Sequence, residues 1–221
     1  KTGKPVVLLL SNGRPLTLAW EKENIETIVE TWFLGTEAGN AVADVLFGKY
    51  NPSGKLVMSF PYNVGQIPVY YNHKHTGRPF EPNQRYVMHY IDAPVDALYP
   101  FGYGLSYSSF KYSDLQVKDG GGEVTVSFRL KNTGKRNGDE VAQVYVRIPE
   151  TGGIVPLKEL KGFRRVPLKS GESRRVEIKL NKEQLRYWDV EKGQFVVPRG
   201  AFDIMVGASS KDIRLQTVID L

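Results

Sequence analysis

Val124-Thr125-Val126-Ser127-Phe128-Arg129-Leu130-Lys131-Asn132-Thr133-Gly134 decides how the second half of the chain is read. Val124, Val126, Phe128 and Leu130 alternate with polar residues, the period of a strand with one face on a core and one in water. Asn132-Thr133-Gly134 then ends the run, and Asn137-Gly138-Asp139 supplies a second turn, because Gly and Asn tolerate positive φ. Outward from this stretch the same alternation returns. It appears in Ala142, Val144, Val146 and Ile148, then in Val176, Ile178 and Leu180. It continues through Phe202, Ile204 and Val206 to Ile213, Leu215 and Ile219.

Six or seven short strands separated by turns, from about Ser106 onward, imply an all-β sandwich of immunoglobulin or fibronectin III type. Asn181 and Gln184 stand at capping-box spacing, so one helical turn is expected over Asn181 to Tyr187.

Residues 1–60 read differently. Val6-Val7-Leu8-Leu9-Leu10 is a continuous apolar run, the mark of a parallel strand buried on both faces. Ile25 to Leu34 reads as a second strand. Glu37 to Phe47 reads as a helix with Ala41, Val45 and Leu46 on one stripe and Gly48 as its stop, and Lys55 to Phe60 as a further strand. A doubly buried strand needs helices on both faces, yet one convincing helix follows it. The unit is therefore expected to be the end of a larger α/β domain, carboxy-terminal in a longer protein. Residues 61–105, rich in Pro, Gly and Tyr, hold all three histidines and little periodicity. So long a connection is functional or clamped.

The 221 residues carry a net charge of +6, and no cysteine rules out disulfides and thiolate metal sites. No apolar run approaches the ~20 residues of a bilayer-spanning helix. Residues 158–179 hold eight basic residues against three acidic ones. These alternate with apolar positions and offer Phe163 as their single aromatic, so the segment reads as the wet face of strands, with neither nucleic acid nor membrane as partner.

His73-x-His75 and His89 lack the third or fourth oriented ligand of a zinc centre and read as loop histidines. Tyr99-Pro100-Phe101-Gly102-Tyr103-Gly104-Leu105-Ser106-Tyr107 reads as an interdomain seam, with a stacking platform for sugar rings as the alternative. Phe101→Ala is expected to cost ~3–5 kcal/mol there if the ring is fully buried. Gly102-x-Gly104 lacks the third glycine of a dinucleotide loop. Glu21, Glu23, Glu26 and Glu30 read as ordinary exposed positions. Glu37 is the one carboxylate in a place of interest, at the carboxyl end of a strand and the start of a helix. No catalytic residue, metal ligand or cofactor is assigned, and substrate contacts are unknown.

Several long motifs occur in the order seen in glycoside hydrolase family 3. They are Lys4 to Pro15, Glu30 to Gly48, Asn51-Pro52-Ser53-Gly54-Lys55-Leu56, Val64 to Tyr71, Thr76-Gly77-Arg78-Pro79 and Leu98 to Tyr107. The chain resembles that family over essentially its whole length, its periplasmic β-glucosidases most of all. The resemblance implies residues 1–61 as the end of the family's α/β sandwich, 62–106 as a linker and 107–221 as a fibronectin type III-like domain. It implies a periplasmic or secreted retaining β-glycosidase acting on terminal β-linked sugars, without a cofactor. The Asp nucleophile and Glu acid/base would lie upstream, so this chain alone would be inactive. The partners implied are a β-linked oligosaccharide or glucoside, reached through the missing domains, and the amino-terminal part of the same enzyme. A stand-alone carbohydrate- or protein-binding module is the alternative. Two departures stand out: Glu37-Ala38-Gly39 replaces the usual Glu-Gly-Gly, and Arg85-Tyr86-Val87-Met88-His89-Tyr90 is less polar than its counterparts.

Produced alone, residues 1–60 are expected to show no protected amide core in hydrogen exchange. A set of slowly exchanging amides over Val6 to Leu10 in a monomer would contradict the incomplete-domain reading.

Overall fold

The computed structural model describes residues 3–150 and 155–221; Lys1 and Thr2 of the basic start lie outside the described residues. The first elements are β1 (Val7–Leu10), α1 (Ala19–Asn24), β2 (Thr27–Glu30) and α2 (Ala38–Leu46). β1 and β2 pair in parallel, with Val7 opposite Thr27 and Leu10 opposite Glu30. Leu18, Phe60 and Leu98 form a small core, against which Leu10, Leu16, Trp32, Leu56, Tyr62 and Tyr99 pack.

Four expectations are corrected here. β1 is not buried on both faces: Val7 is 44% exposed and Leu9 43%, because no described residue covers that side of the sheet. β2 is four residues long rather than ten, since Trp32 turns into the left-handed region at φ 50 and ends the strand. Lys55 to Phe60 forms no regular strand. It pairs irregularly with residues 98–103 through Leu56 N–H to Tyr103 O (2.7 Å) and Phe60 N–H to Tyr99 O (2.8 Å). A short helix, α1, also stands where the sequence showed none. Its first turn contains Trp20, which is exposed, so no apolar stripe announces it.

α2 runs as expected, between Glu37 at its N-cap and Phe47 at its C-cap, and Gly48 follows at φ +72. None of its residues is buried, and Phe47 is 87% exposed. The stripe is present but faces no described partner.

From residue 110 the chain is all β, giving an α/β piece followed by a fibronectin type III-like sandwich. Strands β3 (Phe110–Asp119), β4 (Glu123–Asn132) and β7 (Ser173–Asn181) form one sheet, in the order β3-β4-β7. The facing sheet has the order β11-β10-β5-β6, from β5 (Gly138–Arg147), β6 (Glu159–Leu168), β10 (Ala201–Gly207) and β11 (Ile213–Asp220). A separate hairpin pairs β8 (Tyr187–Asp189) with β9 (Gln194–Val196). Every residue the alternation pointed inward on β4 is fully buried: Val124, Val126, Phe128 and Leu130. They interdigitate with Val144, Val146, Phe202 and Ile204 of the other sheet. Gly162 lets β6 approach β7, because a Cβ there would stand 2.7 Å from Ile178 and 2.8 Å from Leu180. The turn after β7 is a 3-10 helix, Lys182–Leu185, whose Asn181 side chain accepts the Glu183 N–H at 2.9 Å.

Candidate functional site

Two places gather the residues singled out above: the seam between α/β piece and sandwich, and an open cavity beside it. The seam is built on residues 98–108. Tyr99 meets Phe60 edge-on at 6.3 Å and Tyr103 at 5.3 Å, and the Lys22 ammonium lies 5.2 Å from its ring centre. Burial pushes the Tyr99 and Tyr103 hydroxyls up from their ordinary value. Phe101 turns the other way and stacks on Tyr71 at 4.3 Å, and Tyr71 in turn meets Tyr145 edge-on. Tyr107 is exposed, but its hydroxyl donates to Val45 O at the end of α2 at 2.7 Å. The rings therefore join segments of the chain rather than form a free platform. Phe101 is half-buried, so the condition of a fully buried ring is not met.

Polar side chains complete the joint. Asn51 donates to Asn137 O (2.8 Å) and Ser108 Oγ (3.2 Å), and accepts from Ser106 Oγ and the Tyr107 N–H. Gln143 donates to Gly102 O (3.1 Å) and Ala208 O (2.8 Å) and accepts from the Tyr145 hydroxyl. Gly102 is required there: its φ is +80 and a Cβ would strike Gln143. The Lys55 ammonium reaches Glu140 at 3.2 Å, with side chains only 12% and 6% exposed. It also donates to Gly104 O, while Tyr112 donates to the same Glu140 oxygen. Burial first, and Glu140 second, push the Tyr112 hydroxyl far up.

The cavity, about 620 Å³, is lined by His73, His75, His89, Glu81, Asp96 and Lys211 among others. Its loop is tied to the sandwich by the Leu157 N–H to His73 O (3.0 Å) and the Leu160 N–H to the Tyr71 hydroxyl (3.1 Å). Buried Gln66 braces the far side, accepting the Tyr62 N–H and donating to Pro94 O and Asp96 O. The three histidines are exposed and each uses Nδ1 locally: His75 accepts the Gly77 N–H, while His73 and His89 approach the Lys74 and Val87 carbonyls. Lys211 pairs with Asp96 at 2.5 Å. Lys158, half-buried beside them, has its amine pushed down by burial and then by the Lys211 charge. The wall offers hydrogen-bonding groups of both signs, with Lys74 and Lys211 balanced by Glu81 and Asp96. Among the described residues no cluster suited to a metal ion occurs.

At the carboxyl edge of the parallel strands, Glu37 turns onto its own helix and accepts from Asn40 at 2.5 Å. Glu30 is not an ordinary exposed position. It is half-buried, accepts the Trp32 N–H at 2.8 Å and an Asn12 N–H at 3.1 Å, and so holds the turn that ends β2. Sequence reasoning passed over Asn51, Lys55, Gln66, Glu140 and Gln143. Of these, only Glu140 left a signal. It stands in phase with Ala142, Val144 and Val146 of β5, so a carboxylate at a core-side position called for a buried partner.

Residues 1–107 match the Glycosyl hydrolase family 3 C-terminal domain, and residues 140–210 match the Fibronectin type III-like domain. The chain belongs to glycoside hydrolase family 3. It is 47% identical over 219 residues to a periplasmic β-glucosidase of Salmonella typhimurium, covering 96% of this chain and 28% of that one. A β-xylosidase of Formosa agariphila is 46% identical, with 99% and 30% covered. The crystal structure of a Listeria innocua β-glucosidase in complex with glucose superposes with a TM-score of 0.91 at 42% identity, over 99% of this chain and 31% of that one. The chain thus spans under a third of the length of these relatives, at the family's carboxy-terminal domain. β3 and β4 fall between the two matched stretches, yet they share one core with the second.

Two stability measurements follow. Glu140→Gln leaves the Lys55 ammonium buried without its counter-charge, and chemical denaturation is expected to show a loss of ~3–5 kcal/mol. The triple change Lys55→Met/Tyr112→Phe/Glu140→Leu, which removes every member, is expected to recover most of it. Phe101→Ala is expected to cost about 1–3 kcal/mol, below the ~3–5 kcal/mol of a fully buried phenylalanine, because one side of the ring is open.

Proposed function

We propose that the chain is the carboxy-terminal portion of a retaining β-glucosidase or exo-β-glycosidase that hydrolyses terminal β-linked sugars outside the cytoplasm. What supports this most is the likeness to β-glucosidases and a β-xylosidase along nearly the whole chain, at 46–47% identity for two of them. The name of the Salmonella typhimurium relative supports the periplasmic or secreted setting. None of the described helices is long and apolar enough to cross a membrane.

In this reading residues 1–61 end the α/β sandwich, 62–106 are the linker and 107–221 the fibronectin type III-like domain. The Asp nucleophile and Glu acid/base belong to the rest of the enzyme, since retention needs a carboxylate that attacks and an acid that protonates the leaving oxygen. The seam supports a buttressing role, because rings and paired polar groups join the two parts through Asn51, Lys55 and Phe101. The exposed apolar residues of the α/β piece, among them Leu9, Phe33 and Phe47, fit a surface that the remainder of the domain covers.

The isolated chain is expected to show no turnover of a chromogenic β-glucoside above background. Turnover comparable to that of a full-length relative would place the catalytic pair within these residues and sink the proposal.

A further inference from the structure

The outer face of the β3-β4-β7 sheet carries an unusual charge arrangement. Its outward positions hold six cations (Lys111, Lys118, Arg129, Lys131, Arg175 and Lys179) against three acids (Asp114, Glu123 and Glu177). All six cations are exposed. The difference, six minus three, is half of the chain's net charge of +6 on one sheet face.

Register makes the arrangement sharper. Lys111 stands directly opposite Lys131, and Arg129 directly opposite Arg175, in neighbouring rows of the same face. Like charges directly opposite one another destabilise a sheet. Two acids relieve part of this, Asp114 on Arg129 at 2.8 Å and Glu123 on Lys179 at 3.1 Å. Lys111, Lys118 and Lys131 pair with no acid among the described residues. Arg175 is held instead by neutral acceptors, Gln116 Oε1 at 2.6 Å and Ser127 Oγ at 2.7 Å. Those bonds fix its guanidinium, which forms no direct ion pair among the described residues although the Asp114 carboxylate is near enough to feel its charge.

We propose that this face is a docking surface for an acidic polysaccharide, whose carboxylates pair with Lys111, Lys131 and Arg175. Charge complementarity selects a polyanion. The side chains between the cations select among polyanions, since Ser113, Gln116, Thr125 and Ser173 are small or polar and suit sugar hydroxyls. No aromatic side chain stands among these outward positions to stack a base, and no apolar one to enter a lipid interface. The choice of polymer rests on the sugar-cleaving, extracytoplasmic reading above. The surface itself is independent of catalysis, and so is its test.

Binding of the chain to fluorescein-labelled polygalacturonate is measured by anisotropy, first at low salt and then at about 0.15 M, where charges are screened beyond ~8 Å. The triple variant Lys111→Gln/Lys131→Gln/Arg175→Gln is compared with Arg14→Gln/Lys49→Gln/Lys192→Gln, which removes the same net charge elsewhere. The first triple is expected to weaken binding by about ten-fold or more, while the second stays within about two-fold of the parent. The first triple's melting temperature is expected to match or exceed the parent's, because both like-charge pairs are relieved, so lost binding is not lost folding. Equal weakening by both triples, or no binding of polygalacturonate, would overturn the proposal. So would equally tight binding of a single-stranded oligonucleotide or of phosphatidylglycerol-rich vesicles. None of these outcomes depends on glucoside turnover, so the surface and the enzymatic reading stand or fall separately.

Discussion

The buried pair between Lys55 and Glu140 is the contact on which the joint depends. Two charges with side chains only 12% and 6% exposed are taken out of water and must be fully matched, or the cost reaches several kcal/mol. Each ion is matched by more than its partner: Gly104 O takes a second proton of the ammonium, and the Tyr112 hydroxyl serves the carboxylate. Lys55 comes from the α/β piece, Gly104 from the connection, and Tyr112 and Glu140 from both sheets of the sandwich. A single polar cluster therefore demands that four segments be in register at once. Apolar contact alone would permit sliding; this set of partners does not.

The aromatic rings around it act differently. Tyr99 and Phe60 close the small core of the α/β piece, while Phe101, Tyr71 and Tyr145 cover the sandwich side. Because the chain turns at Phe101 and Gly102, where the Tyr103 N–H donates to Pro100 O at 3.1 Å, Phe101 points away from Tyr99 and Tyr103 and one short segment serves both cores. The same connection also carries the cavity loop, whose position is set by Tyr71 and the Leu157 N–H rather than by periodic structure of its own.

The sandwich was legible because it is closed upon itself. On β4 and β5 the apolar residues at alternate positions all found a buried place within the same chain, so local pattern and global packing agree. The α/β piece was legible in type and less so in detail. Its strand at Val6 to Leu10 carries the composition of a doubly covered strand, but covering elements are absent from the described residues, and half of it faces outward. Lys55 to Phe60 has the apolar content of a strand and makes an irregular ladder, because Pro100 and the left-handed Gly102 interrupt the segment opposite. The joint residues Asn51, Gln66 and Gln143 could not be read ahead of the structure. Their significance lies in partners 28 to 86 residues away, and no spacing rule reaches that far.

Asn51 closes the largest of these loops, bonding Ser108 57 residues on and Asn137 86 residues on. Bringing such distant points together costs loop-closure entropy before any contact returns it. The hairpins β3-β4 and β5-β6 close far shorter loops and can form without it. The sandwich meets a comparable cost where β10 pairs with β5, Gln143 standing opposite Gly207. Asn51 adds a closure of the same reach with one amide, so a single side chain makes two parts of the chain one body.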